Sequence, residues 1–126
     1  MILLDENIID SQRRILLKHR LRIRQIGHEV GRAGMSDSEI IPLLHRLPNS
    51  TLFTRDRDFY KPGLIHAHYC LVFLEVTKDE VAEYLLRFLH HAAFISQGKR
   101  NSKVIRVTPR GFTILAAHSP ASSGMW

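Results

Sequence analysis

Apolar residues along the chain come in short runs that stop abruptly in polar ones. Ile2-Leu3-Leu4 is halted by Asp5-Glu6-Asn7, the pattern of a strand buried on both faces whose C-terminal end opens onto polar groups. Over residues 8–21 the period changes. Ile8, Ile9, Ile15, Leu16 and Leu17 recur near helical spacing while Arg13, Arg14, Lys18 and Arg20 fill much of the remainder, which predicts an amphipathic helix with a basic face. Residues 22–30 alternate roughly, offering Ile23, Ile26 and Val30 to a core, and predict a second strand followed by a loop over 31–35. Ser36-Asp37-Ser38-Glu39 then has the form of a capping box, with Ser36 at the N-cap and Glu39 at N3, opening a helix through Ile40, Ile41, Leu43, Leu44 and Leu47.

Thr51-Leu52-Phe53-Thr54 predicts a third strand, and it too ends in acids, within the turn Arg55-Asp56-Arg57-Asp58. Residues 69–76 predict a fourth, strongly apolar strand. Thr77-Lys78-Asp79-Glu80 is a second capping box, starting a helix that reaches about His91. Residues 97–103 read as a polar, basic loop, Val104-Ile105-Arg106-Val107 as a fifth strand, and residues 111–117 as a hairpin partner to it. Strands alternating with helices imply a mainly parallel sheet covered on both faces, because each return to a parallel strand needs a crossover. The expected class is therefore α/β, a three-layer α/β/α sandwich with a mainly parallel central sheet. It forms one domain over residues 1–118, with a flexible tail over 119–126 where Ser, Pro and Gly concentrate.

Composition narrows the function. With 126 residues, 44% apolar and 24% charged, the chain can bury one core and is neither a disordered tail nor a fibrous repeat. Its 18 Lys and Arg against 12 Asp and Glu give a net charge of +6, which favours polyanionic partners, RNA first. A single cysteine, Cys70, excludes an internal disulfide; at the start of an apolar strand it reads as a small buried hydrophobe. No apolar run approaches the ~18 residues of a membrane span, and no basic segment precedes Ile2-Leu3-Leu4, so neither a membrane partner nor a signal peptide is expected. The expected address is cytoplasmic.

The carboxylates carry the candidate chemistry. In an open parallel sheet, functional groups gather beyond the C-terminal strand ends. Asp5 and Glu6 follow the first strand, Asp56 and Asp58 follow the third, and Asp37 and Glu39 lie in the connection between. Concentrated negative charge is unfavourable unless a cation offsets it, and a hard divalent ion, Mg²⁺ or Mn²⁺, takes carboxylate and water oxygens and couples them to phosphate chemistry. Asp37 is a better ligand candidate than Glu39, which already has a role as a helix cap; Asp5 or Asp56 alone could be a turn residue bonding its own backbone, Asp58 could simply start a turn, and Glu6 and Glu39 are the weaker candidates.

The ordered set Ile2-Leu3-Leu4-Asp5-Glu6-Asn7, Gly27-His28-Glu29-Val30, Ser36-Asp37-Ser38-Glu39-Ile40 and Leu52-Phe53-Thr54-Arg55-Asp56-Arg57-Asp58-Phe59 resembles the small PIN-like domain proteins related to VapC toxins. The resemblance covers roughly the first 60 residues. It implies an α/β/α sandwich and a Mg²⁺- or Mn²⁺-dependent endoribonuclease, the toxin of a toxin–antitoxin pair, with Asp5, Asp37, Asp56 and Asp58 as the acidic site and Thr54 as a supporting polar residue. An antitoxin protein would then mask the crevice.

Two basic stretches could position RNA through its phosphates. One runs from Arg13 and Arg14 to Arg24, and the other holds Lys99, Arg100 and Lys103 with Arg106 and Arg110. Tyr60, beside the acidic turn, is the one candidate for base stacking. The helix over 78–91, with Val81, Leu85, Leu86, Phe88 and Leu89, supplies core and a candidate homodimer surface. His66-x-His68 places two imidazoles on one face of an extended segment, a geometry suited to Zn²⁺, but no third histidine stands nearby in sequence. His90-His91 fit the C-terminal end of a helix dipole. Two rivals to the nuclease stand. One is a catalytically silent PIN-like module that binds protein or RNA. The other is a receiver-type phosphoacceptor domain, with Asp5-Glu6 as metal acids, Asp56 as acceptor, and Thr77 and Lys103 as switch residues.

Overall fold

The apolar runs form the centre of one sheet. In the computed structural model, which describes residues 1–126, the elements in chain order are β1 (Ile2–Leu4), α1 (Asp10–Lys18), β2 (Ile23–Gln25), α2 (Asp37–Arg46), β3 (Ser50–Thr54), β4 (Tyr69–Leu74), α3 (Val81–His90), α4 (Gln97–Arg100), β5 (Lys103–Thr108), β6 (Gly111–Ala116) and β7 (Ser122–Met125). The strands lie in the order β2-β1-β3-β4-β5-β6-β7. β1 to β5 run parallel; β6 and β7 are antiparallel to their neighbours. The fold is α/β with a mixed, mostly parallel sheet.

Register explains why the runs are apolar throughout. Leu3, Leu52, Leu71 and Val104 lie side by side across four strands and face one way, against Ile40, Leu43 and Leu44 of α2 and against Phe59. Their neighbours Leu4, Phe53, Val72 and Ile105 face the other way, against Leu16 of α1 and Val81, Leu85 and Phe88 of α3. All eight strand residues have no exposed surface. Burying each contributes about 1.5–3 kcal/mol, so the two rows outweigh any local preference of the strands they cross. α1 and α3 are also tied through the buried Gln12, whose Oε1 accepts from Ala82 N at 2.9 Å. Both capping boxes form: Ser36 N donates to Glu39 Oε1 at 3.3 Å, and Thr77 N to Glu80 Oε1 at 3.0 Å. The α3 residues Val81, Leu85 and Phe88 are spent on the core, and Leu86 and Leu89 pack partly buried against it. No helix is long and apolar enough to cross a membrane.

Three expectations are corrected. The second strand is only Ile23–Gln25, because Gly27 takes a left-handed conformation and turns the chain out of the ladder. The basic stretch before β5 is the short helix α4, begun by Ser96 Oγ accepting from Lys99 N at 3.3 Å. Its Arg100 is buried. Nε donates to Thr51 Oγ1 at 3.0 Å, Nη1 to Phe94 O at 2.8 Å and Nη2 to Gln97 Oε1 at 3.0 Å, so this arginine ties α4 to β3 and is not a free phosphate contact. Finally, the stretch expected as a flexible tail contains β7, paired with β6 over Ser122–Met125. Gly124 is the reason. A Cβ there would stand 2.5 Å from the Phe112 ring, so only glycine lets β7 close over Phe112, and Trp126 then covers that ring and donates from Nε1 to Thr108 O at 2.7 Å.

These ties make two measurable claims. Gly124→Val should lower unfolding free energy by about 1–3 kcal/mol by forcing β7 off Phe112. Arg100→Met, which takes the donor from the Phe94 carbonyl and one partner each from Thr51 and Gln97, still bonded to each other, should cost about 1–3 kcal/mol. Urea denaturation of both variants beside wild type measures each; changes under 0.5 kcal/mol would contradict the packing described.

Candidate functional site

The chain leaves β1 for β2 on one side of it and returns to β3 on the other, so the connections part between β1 and β3. That switch point opens a crevice beyond the C-terminal strand ends. Its volume is about 240 Å³, and Asp5, Asn7, Ile8, Arg55 and Asp56 line it. Asp37, the first residue of α2, joins from the connection before β3. One carboxylate oxygen from each of Asp37, Asp56 and Asp58 lies within 4.8 Å of the others.

A chain of hydrogen bonds sets these acids in place. Thr54, the last residue of β3, is fully buried; its Oγ1 donates to Asp5 Oδ2 at 2.6 Å and accepts from Asp56 N at 3.0 Å. Asp56 Oδ1 in turn accepts from Asp58 N at 2.9 Å, forming an Asx turn that starts the single 3₁₀ turn Arg57–Phe59. Asp5 Oδ1 accepts from Glu6 N at 2.8 Å. Asp5 is thus a buried anchor behind the cluster, while Asp37, Asp56 and Asp58 face its open side. Gln25 of β2 steadies the connection from β1 to α1 that follows Asp5, its Nε2 donating to Asp5 O at 3.0 Å and Ile8 O at 2.9 Å.

The two glutamates serve as struts. Glu6 Oε1 accepts from Gly34 N at 2.8 Å and so holds the loop that delivers α2 and Asp37. Gly31 in that loop has φ +60, a left-handed backbone that favours glycine, and a Cβ there would crowd Met35 Sδ at 2.7 Å and Leu43 Cδ2 at 3.2 Å. Glu39 is committed to the Ser36 cap and to an ion pair with Arg32. Neither belongs to the group of converging carboxylates.

The electrostatics follow from this packing. Burial raises the Asp5 pKa above the ordinary carboxylate value, against the opposing effect of the Thr54 and Glu6 hydrogen bonds. Asp37 is raised as well, first by desolvation and then by the charges of Asp56, Asp58 and Asp5; Lys61 offsets part of this. Each raised pKa reports negative charge held where it is unfavourable. Hard cations with oxygen preference, Mg²⁺ and Mn²⁺, fit such a donor set of carboxylates. No protein-family model, curated protein or solved structure matches the chain.

The basic candidates are placed differently from the acids. Arg13 donates to Gln25 Oε1 at 3.3 Å and pairs with Glu29, so it braces β2 against α1. Arg14 is exposed and pairs with Asp10 at 2.7 Å. Lys99 Nζ donates to Ala92 O at 3.2 Å, and Lys103 Nζ to Lys99 O. Lys103 lies beside Cys70, at the start of β4 and β5. That is the opposite end of the parallel strands from the acids: Lys103 is level with Thr51, about 10 Å along the strand from the end of β3. The same placement removes Lys103 from any receiver-type switch, which needs its lysine at the acidic edge. The cations near the acids are ones the composition runs did not single out: Arg55 in the crevice wall, anchored by Nε to Val76 O at 3.0 Å, and Lys61 near Asp37. Both sit inside or just after the Asp56 turn, and that interleaving of charge signs was the available signal. Tyr60 is half-buried against Phe73, at 6.2 Å between rings. Cys70 is fully buried, its thiol pushed up to about 12 by desolvation, which suits a core residue and not a nucleophile.

Relieving the repulsion should stabilise the metal-free protein. Below the ordinary carboxylate value the penalty is absent; as pH rises through each raised pKa it sets in and stability falls. Asp37→Asn is expected to raise the melting temperature of the metal-free protein by a few degrees at pH 7 and to flatten this loss. Differential scanning calorimetry from pH 4 to 8 in the presence of a chelator measures it. An unchanged or lowered melting temperature at neutral pH would contradict the repulsion.

Proposed function

We propose that this chain is a three-layer PIN-like α/β/α domain acting as a Mg²⁺- or Mn²⁺-dependent endoribonuclease, in the role of a cytoplasmic toxin held in check by an antitoxin protein. The observation that supports this most is the convergence of Asp37, Asp56 and Asp58, from a helix start and a turn after β3, onto one space at the switch point. The resemblance over the first 60 residues supports the same reading with the same aspartates.

In this proposal Asp37, Asp56 and Asp58 hold the ion, and Asp5 fixes the turn behind them through Thr54. A bound divalent ion supplies an activated water and offsets charge on the phosphodiester oxygens. The remaining tasks fall to the chain. Arg55 and Lys61 flank the acids and attract the RNA backbone, and their contacts carry no base preference. The open crevice admits a strand from solvent.

The catalytically silent module is the second reading, favoured by one observation: both oxygens of Asp5 are already engaged by Thr54 and Glu6 N, leaving three solvent-facing acids for an ion. Activity separates the two. Purified wild type with Mn²⁺ should cleave single-stranded RNA internally, Asp56→Asn should lower the rate by at least 100-fold with the fold retained by circular dichroism, and Lys103→Ala should change it less than threefold. Equal cleavage by Asp56→Asn would defeat the assignment, and absence of metal-dependent cleavage in wild type would favour the silent module.

A further inference from the structure

One carboxylate, just past the end of β4, holds two arginines at once. Glu75 accepts from Arg57 Nη2 at 3.0 Å through Oε1 and from Arg106 Nε through Oε2. We propose that Arg57 and Arg106, set by Glu75, and Arg110 beyond them form a phosphate-binding arm that leads a single strand of RNA from the acidic crevice across β5 to β7. The choice of RNA as the strand rests on the nuclease reading.

Register places the arm. Thr54, Phe73, Arg106, Thr113 and Ser123 are successive partners in one row across β3 to β7, on the α2 side of the sheet. The row starts at the threonine that sets Asp5 and Asp56 and ends four strand spacings away, about 19 Å, at the β7 edge. Arg57 stands between Asp56 and Asp58 in the turn. Its guanidinium lies 5.2 Å from the centre of the Phe73 ring, so that ring and Glu75 fix it from two sides. Glu75 takes one donor from each arginine. Arg106 keeps both Nη groups and Arg57 its Nη1 for a ligand, and a guanidinium presents such donors in a rigid fork that matches phosphate oxygens. The Glu75 pKa is held below the ordinary carboxylate value, first by the Arg106 hydrogen bond and then by the charge of both arginines, so the clamp stays ionised. Beyond Arg106 lies a depression of about 300 Å³ whose lining includes Arg106, Thr108, Arg110, Thr113 and Ser123 and holds no carboxylate. Arg110 is exposed and pairs with no acid, and Thr113 Oγ1 and Ser123 Oγ, 3.3 Å apart, can turn a hydroxyl to an anion. The basic stretch around β5 thus divides. Lys99, Arg100 and Lys103 are spent on backbone and core contacts at its start, while Arg106 and Arg110 stand at its end, on the open face.

Fluorescence anisotropy with a short labelled oligouridine tests the arm in the presence of a chelator, where metal-dependent cleavage does not shorten the probe. The proteins compared are wild type, Arg110→Ala, Arg106→Ala/Arg110→Ala and Lys103→Ala, each checked for folding by circular dichroism. Each phosphate contact on a single strand adds about 0.7 to the steepness of log affinity against log salt, so Arg110→Ala should lose about 0.7 and the double variant about 1.4. At low salt the double variant should bind at least tenfold more weakly than wild type, while Lys103→Ala, which removes a charge at the other end of the strands, should change affinity less than twofold. The Arg110 side chain ties nothing in the fold, so that single variant decides the matter if the double variant is unstable. Wild-type affinity and salt dependence in the folded variants would overturn the arm, as would an equal loss in Lys103→Ala. Wild type that binds polyglutamate and not the oligouridine would assign the arginines to an acidic protein partner and overturn it as well. Cleavage is read separately. Oligouridine bound through these arginines but left uncut with Mn²⁺ keeps the arm and removes the nuclease reading; Mn²⁺-dependent cutting that the double variant retains at unchanged KM removes the arm alone.

Discussion

The hydroxyl of Thr54 is the pivot of this structure. It lies fully buried at the end of β3, donates to Asp5 across the switch point and accepts from the amide of Asp56. One side chain thereby links the ends of two parallel strands and starts the turn that aims Asp56 and Asp58. Lose that bridge and Asp5 has a buried carboxylate oxygen without a donor, while the Asp56 turn loses its first tie. The crevice is therefore set by the sheet and not by a mobile loop, which is how a site of like charges can keep its geometry.

The cost of that geometry is visible elsewhere. Two carboxyls are held above their ordinary range, and the surrounding cations are arranged to offset them only in part: Lys61 acts on Asp37, while Arg57 is drawn to Glu75 at 3.0 Å. Stability comes from the far side of the sheet and from its antiparallel extension, where the rings of Phe88, Phe94, Phe112 and Trp126 pack in succession and Arg100 ties α4 to β3. A well-packed half thus supports an edge where charge repulsion is tolerated, the pattern expected where stability is traded for a binding site.

Much of this was legible in the chain. Runs such as Ile2-Leu3-Leu4 are apolar at every position because both faces of the strand are covered, and the two capping boxes mark helix starts by local chemistry alone. The convergence of Asp37 with Asp56 and Asp58 was readable because parallel topology sends strand ends to one edge. What was not legible depends on contacts distant in sequence. Nothing near Gly124 signals that Phe112 needs a partner without a side chain, so a Ser- and Gly-rich end reads as loose. Arg100 looks like its neighbour Lys99 until Thr51, Phe94 and Gln97 close around it. His45 stands 21 positions before His66, and only the length of α2 carries it to the same corner.

Asp37, Asp56 and Asp58 converge at the switch point with the donor atoms a divalent cation takes. Titrating metal-free protein with Mn²⁺ in a calorimeter, beside the folded triple variant Asp37→Asn/Asp56→Asn/Asp58→Asn, tests cation binding there most directly. Saturable binding in wild type that is lost in the triple variant is the predicted result. No binding in wild type, or equal binding in both, would contradict it.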